Sequence, residues 1–372
     1  MSVIIILSVC WLLWLTGEAI RARRDRSRLS HVVHVNGIRG KSTTARLIAA
    51  GLAAGGIPVV CKTTGTDPAV IGVDGTEKPL RRLGPSNIRE QLQILHRAAS
   101  QGAQVLVAEC MALQPELQEV SQHRMLQADI GVITNVRPDH MDVMGETLGE
   151  IAESLASMVP RGGTLFTAET QTLGPLWRRA KALGTSFVQV RPKGDEPAEV
   201  SFPENIALAL AVCESLGVKR ETALAGMCRY RPEPYGLSVW RVGEALFVNA
   251  LSANDAQSTS MIWERAIGRF GNEYPRRVLL LNNRGDRGRR TEAMREMAVL
   301  LAPDEIWLMG AAQGYLSRRL RRELPDAKLR CWRGVPELAE LPAGSLCLGA
   351  GNIAGGGRAF LEKISEEGKQ LV

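Results

Sequence analysis

The chain opens with an unbroken apolar run, VIIILSVCWLLWL at residues 3–15, closed by Gly17 and followed by Arg21, Arg23, Arg24, Arg26 and Arg28. Two Trp and continuous Ile and Leu leave this run no polar face. With Met1 and Ser2, at about 1.5 Å per residue, it is just long enough to cross about 27 to 30 Å of hydrocarbon. Residues 1–20 are therefore expected to form a membrane anchor with Glu18 at its interface, and residues 21–30 a basic juxtamembrane linker. A cleaved leader carries its positive charge before the apolar run. Here the order is reversed, which predicts a retained span with the basic flank on the inner side.

Beyond a polar hinge at 27–30 the pattern turns to short β-branched runs separated by amphipathic stretches. Val32, Val33 and Val35 predict a strand, the glycine turn 36–40 ends it, and a helix is expected over 42–52. Further strands are expected at 57–61, 105–108 (VLVA) and 130–134 (IGVIT), with a helix at about 87–100. This rhythm is that of a parallel sheet built from βαβ units. A helix over 205–216 ends at Gly217, and the proline-rich RYRPEPYG at 229–236 reads as a linker. A second α/β unit is expected from Leu237, with strands at 245–248, 278–281, 305–309 and 345–348. The expected layout is thus an anchor, a parallel-sheet domain over 31–236 and a smaller Rossmann-like α/β domain over 237–372, without internal repeats.

Composition narrows the class. At 372 residues, 45% hydrophobic and 23% charged, the chain can bury a sizeable core, which excludes disorder and a disulfide-stapled miniature. Seven Cys show no metal-type spacing and are odd in number, which predicts reduced thiols facing a cytosol. The net charge of +7 owes much to the arginine flank, so no nucleic-acid partner is expected.

The strongest local signal is Gly37, Gly40, Lys41, Ser42 and Thr43 where a strand turns into a helix, a phosphate cradle together with Asn36 and Arg39. Its ligand would be ATP, with Lys41 on the terminal phosphate oxygens and the Ser42 hydroxyl on magnesium. The GxxGKS spacing is two residues shorter between glycines than the general loop. Glu109 ends the apolar strand VLVAE, where an acidic side chain reaches a metal-bound phosphate; a surface Glu is the plainer alternative. After GVIT come Asn135, Asp139, His140 and Asp142, either a metal or phosphate site or a loop with Asx turns. His31 and His34 are expected to be structural, and Cys110 to pack. Arg81, Arg82 and Arg89, with Arg284, Arg287, Arg289 and Arg290, are candidates for guiding an anionic substrate, or else solvated loops.

In order, strand, GxxGKS, a strand ending in Glu and T-N-x-x-x-D-H-x-D resemble the ATP-binding domain of the Mur ligases and folylpolyglutamate synthases. The resemblance implies amide-bond formation through an acyl phosphate. It implies Mg2+, or Mn2+, on Ser42, Glu109 and His140, and Asp139 or Asp142 assisting the attacking amine. Asn205 resembles the family's adenine-side Asn, and Asn254, Asp255 and Ser258 its nucleotide-facing loop. Departures are informative. Leu155 stands where folylpolyglutamate synthases carry a carbamylated Lys, Ser201 and Phe202 replace a His-Asn pair, and, with the phosphate loop so soon after the anchor, a nucleotide-sugar domain is not expected. The segments VNGIRGKSTTARLIAAGL, VLVAECMALQPELQ, ITNVRPDHMDVMG and GAGNIAGGG are similar to the membrane-tethered ligase subunit of poly-γ-glutamate synthases. That resemblance implies glutamate and its γ-linked polymer as substrates. It also implies a multispanning and an exported membrane subunit as partners, a possible homo-oligomer, and a catalytic domain on the cytoplasmic face. A soluble small-molecule ligase, or an anchored NTPase coupling hydrolysis to transport, are the competing readings.

Overall fold

The structure is a computed structural model. It describes every residue except Met1, Thr66, Leu83, Pro85, Ala198, Glu199, Pro234, Ala253, Asn254, Gly285, Asp286, Arg287 and Val372, and leaves out the side chains of Ser2 and residues 288–290. The chain divides into two compact units, Met1–Glu233 and Pro234–Val372.

The first unit begins with the helix Ser2–Ser27, which continues through the arginine-rich stretch expected to be a linker. After Gly17 that stretch holds no Gly or Pro and is rich in Arg and Ala, good helix formers, so nothing stops the helix. Its second half is also fastened down: Arg26 to Asp129 at 2.9 Å, Asp25 to His96 at 2.9 Å and Glu18 to Arg89 at 2.5 Å. The apolar side chains before it, Val3 to Trp14, are exposed. Among the described residues, Val3–Ser27 is the one helix long and apolar enough to cross a membrane.

An eight-stranded sheet follows: β1 His31–Asn36, β2 Val59–Lys62, β3 Ala69–Ile71, β4 Glu77–Pro79, β5 Val105–Glu109, β6 Ile130–Ile133, β7 Thr164–Thr167 and β8 Ser186–Gln189. Their order is β4-β3-β2-β5-β1-β6-β7-β8. The run from β2 to β8 is parallel, and β3 and β4 add an antiparallel edge. Both faces are covered, as a parallel sheet requires. Val33, Val35, Val107 and Val132 pack under the helices Lys41–Ala54 and Pro203–Ser215. On the opposite face Val32 and Leu106 pack against the helix Glu90–Ser100, while Ile133 and Leu165 meet the helix Leu148–Ala156. β1 is central, with β5 and β6 on either side. The crevice beyond its carboxyl end is where open α/β sheets bind ligands.

The second unit holds β9 Ser238–Val242, β10 Ala245–Ala250, β11 Arg276–Asn283, β12 Glu305–Gly310, β13 Lys328–Cys331, β14 Ser345–Gly351 and β15 Lys369–Gln370. The order is β13-β12-β11-β14-β10-β9-β15, parallel from β13 to β10 and antiparallel at β9 and β15. Its core centres on Trp307, Phe247 and Phe360, the last two edge to face at 5.4 Å.

Candidate active site

β1 delivers Asn36 to the crevice, and residues 37–40 turn the chain into the helix Lys41–Ala54. Both glycines are obligatory. Gly37 has φ 122° and a Cβ there would lie 2.1 Å from Thr134 Oγ1; Gly40 has φ 80° and a Cβ there would lie 2.6 Å from Asn205 Oδ1. Gly40 occupies the N-cap without a side-chain cap, so the first helical N–H groups remain available to an anion. Asn36 is buried and donates to Gln118 Oε1 at 2.8 Å. Thr43 is half-buried on the first turn, and Asn205 sits against Gly40 with its amide 3.3 Å from Ser201 Oγ.

Lys41 curls back over the loop, donating to the carbonyls of Gly37 at 2.8 Å and Ile38 at 3.3 Å. Burial lowers its pKa, while the nearby Glu109 charge works in the opposite direction. Ser42 Oγ donates to Glu109 Oε2 at 2.8 Å, and the same oxygen accepts from the Thr64 N–H at 2.7 Å. Glu109 is buried at the end of β5, which removes the surface-Glu alternative. Arg39 ties the loop to the segment after β6: its N–H donates to Asn135 Oδ1 at 3.0 Å and its guanidinium to Asp139 at 3.0 Å. Its carbonyl accepts from Thr134 and Asn135. His140 is in a left-handed conformation, φ 49°, with its N–H bound by Asp139 Oδ1 at 2.8 Å and its Nε2 3.6 Å from Asp139 Oδ2. Asp142 is exposed on the short helix that follows.

Of these groups Asn36, Gly37, Lys41, Glu109 and His140 line one cavity of about 240 Å³, together with Thr64, Gly65 and Arg82. Arg82 is gripped by Glu90 through two bonds of 2.7 and 3.1 Å. Of the arginine candidates in the first unit, Arg82 alone lines the cavity. Arg81 is exposed, and Arg89 faces the N-terminal helix. Cys110 lines the cavity too, but burial pushes its thiol up to about 11, so it packs as expected and is no nucleophile.

One residue that the sequence did not single out is Glu233, inside the proline-rich stretch read as a linker. Its carboxylate lies beside Ser42: a Cβ on Gly65 would meet Glu233 Oε1 at 2.5 Å and Ser42 Oγ at 3.0 Å. The Ser42 hydroxyl has a single proton, so it satisfies one carboxylate at a time. Glu233 Oε1 is buried without a partner, and burial and the Glu109 charge raise the Glu233 pKa. The Arg46 guanidinium, whose charge acts on Glu233, is already paired with Glu77. Hard oxygen donors with excess buried negative charge suit Mg2+. Among the described residues no group of three or more His, Cys, Asp or Glu could hold a metal, so a bound cation would draw the rest of its shell from Ser42 and nucleotide phosphates.

In the second unit Asp255 caps the helix Ala256–Phe270, accepting from the Ser258 N–H at 2.7 Å. That is a structural task for a side chain expected to face nucleotide. Arg284 is exposed at the end of β11, while Asn254 and Arg287 lie outside the described residues.

Residues 237–367 match the model of the poly-gamma-glutamate synthase CapB C-terminal domain, and residues 35–182 that of the Mur ligase middle domain. The capsule biosynthesis protein CapB of Bacillus anthracis is 33% identical over 391 residues, covering 98% of this chain and 84% of that protein. The PGA synthase CapB of Bacillus subtilis is 35% identical over 377 residues, covering 95% of each. Among solved structures, a bifunctional folylpolyglutamate synthase/dihydrofolate synthase with Mn, AMPPNP and L-glutamate bound shares the fold. Its TM-score is 0.64 at 15% identity, covering 95% of this chain and 97% of that one.

Proposed function

The chain belongs to the CapB family of poly-γ-glutamate synthases, and from that premise we propose that it is an ATP-dependent ligase joining glutamate into poly-γ-glutamate through an acyl phosphate. Its N-terminal helix would hold it on the cytoplasmic face of the membrane. The observation that carries this reading is the cavity in which the phosphate loop, Glu109, His140 and Arg82 meet.

A carboxylate resists attack by an amine until it carries a leaving group. Transfer of the ATP γ-phosphoryl to the acceptor's γ-carboxylate supplies one and releases ADP. The incoming glutamate nitrogen then attacks the carbonyl carbon, and phosphate departs. Positioning and charge neutralisation dominate such steps. Lys41 and the loop N–H groups stabilise the migrating phosphoryl, and Arg82 receives the acceptor's carboxylate. Ser42, Glu109 and Glu233 would hold Mg2+ or Mn2+, with His140 lining the same cavity as Glu109, and such an ion would neutralise phosphate charge. Asp139, paired with Arg39 beside the loop, is proposed over the exposed Asp142 to take the amine proton. Asn205 supports the loop through Gly40.

Among the described residues one helix is apolar and long enough to span a membrane, and one helix offers no path for a polyanion. A multispanning and an exported subunit are therefore proposed as partners, with a homo-oligomer as the working assembly. Membranes containing the protein, given ATP, Mg2+ and labelled glutamate, should form a γ-linked polymer. Products limited to one or two added residues would favour a small-molecule ligase, and ATP hydrolysis independent of glutamate would favour a transport NTPase.

A further inference from the structure

At the start of the helix Glu90–Ser100 three consecutive side chains reach three different parts of the first unit. Arg89 turns outward to the N-terminal helix, where its guanidinium lies 2.5 Å from Glu18 Oε1 and 4.8 Å from the centre of the Trp14 ring. Glu90 turns inward, binding Arg82 through both carboxylate oxygens and approaching the fully buried Lys62 at 3.5 Å. Gln91 accepts from Lys62 at 3.3 Å and donates at 3.2 Å to the backbone carbonyl of Glu109, the residue whose side chain holds Ser42. All three lie within one helical turn, so they move as a body.

Arg82 itself comes from an irregular stretch outside any helix or strand, and its two bonds to Glu90 are what aim it at the cavity. A helix end that is free to shift would carry Glu90, and with it Arg82, away from the place where an acceptor's carboxylate must sit. The contact of Arg89 with Glu18 and Trp14 fixes that end from outside. A cation between a carboxylate and an aromatic face is a directional contact rather than a greasy one.

We propose that Glu18 and Arg89 form a positioning contact through which the N-terminal helix sets Arg82 in the phosphate-loop cavity, so that acceptor binding depends on that helix being docked. The inference rests on the ligase reading above, with the γ-glutamyl chain end as acceptor. It assigns Arg89 a role different from direct contact with the polymer. It also makes the membrane helix part of the synthase's substrate recognition in addition to its attachment.

The test uses the full-length protein in lipid nanodiscs, with a γ-glutamyl oligomer as acceptor and AMPPNP as the nucleotide probe. Arg89→Glu and Glu18→Arg are each expected to raise the acceptor KM about tenfold while leaving kcat and AMPPNP affinity within about twofold. The double variant, which restores an opposite-charge pair, should return KM to within about threefold of the parent protein. Arg82→Ala serves as the reference for losing the carboxylate contact. If Arg82→Ala raises KM but the single reversals do not, the positioning contact is overturned while the ligase reading stands. A double variant no better than the singles overturns it as well. If Arg82→Ala leaves KM unmoved, the acceptor reading of the cavity fails and this inference goes with it. AMPPNP affinity reports folding throughout. Should a reversal abolish it, Glu18→Gln and Arg89→Lys replace the reversals, with a KM rise of about threefold expected and an unchanged KM counting against the contact.

Discussion

In the first unit β1 passes through Gly37 and Gly40 into the helix Lys41–Ala54; in the second, β14 passes through Gly351 and Gly355 into the helix Gly356–Glu367. Both turns lie at the carboxyl end of a parallel sheet, and both contain glycines with positive φ. Their surroundings differ. Around the second turn the protein fills its own crevice: Asn282 donates to the carbonyls of Asn352 at 2.5 Å and Ala354 at 3.0 Å. A Cβ on Gly357 would sit 2.8 Å from that same Asn282 amide, so glycine there makes room for a side chain and not for a ligand. Both helix starts lack a side-chain cap, but around the first turn a lysine and a serine hydroxyl follow it, and a buried carboxylate oxygen of Glu233 lacks a partner. A glycine-rich turn becomes a nucleotide site when polar groups around it are left over, and a structural joint when they are consumed.

Substitutions in the two turns should separate these roles. Lys41→Ala should reduce polymer synthesis by about a thousandfold with the fold intact, since it removes a charge that acts on the migrating phosphoryl. Comparable synthesis by this variant would erase the distinction.

The next effect is on stability at acid pH. His34, buried in β1, has its pKa lowered by burial from the ordinary 6.5 to about 4. Above the unfolded value both states are neutral and the contribution is fully present. As pH falls from 6.5 toward 4 the unfolded chain takes up a proton that the folded one refuses, so stability drops by about 3 kcal/mol. All five His lie in the first unit, so the second should not share this loss. Urea denaturation at pH 7 and pH 4.5 should show a flatter dependence for His34→Gln; an unchanged slope would assign the acid sensitivity elsewhere.

Gly40→Ala places a Cβ at 2.6 Å from Asn205 Oδ1 and at an unfavourable φ, and should weaken AMPPNP binding by about 10- to 100-fold. Asn282→Ala should cost the second unit about 2 kcal/mol by stranding two buried carbonyls, with AMPPNP affinity unchanged. Gly356→Ala meets only ordinary contacts at 3.7 Å and beyond, and should change stability by less than about 0.5 kcal/mol. A large loss of nucleotide affinity in either second-unit variant would show that its turn contacts the ligand after all.

Much of the first turn was legible in the sequence because its signals are local. A valine run, two glycines at fixed spacing and a Lys-Ser pair all lie within a dozen positions, and parallel strands buried on both faces stand out as β-branched runs. Glu109 and the Asn135 to His140 segment were legible because each directly follows such a run. Less visible were β7 and β8, whose TLFT and SFVQ are short and mix polar with apolar residues, and the antiparallel pair β3 and β4. Glu233 was invisible for another reason: it reaches Ser42 only once the chain has returned through the whole first unit, and its proline neighbours suggest a linker. The Asp255 cap has a local signature, an Asp three residues before Ser at a helix start.

Phosphoryl transfer to the acceptor acid is tested most directly by isotope. The γ-carboxylate of a γ-glutamyl oligomer is labelled with heavy oxygen, and the orthophosphate released during Mg2+ and ATP-dependent extension is analysed by mass. An acyl phosphate predicts one labelled oxygen in each phosphate for every amide bond formed. Orthophosphate that stays unlabelled while the polymer grows would contradict it.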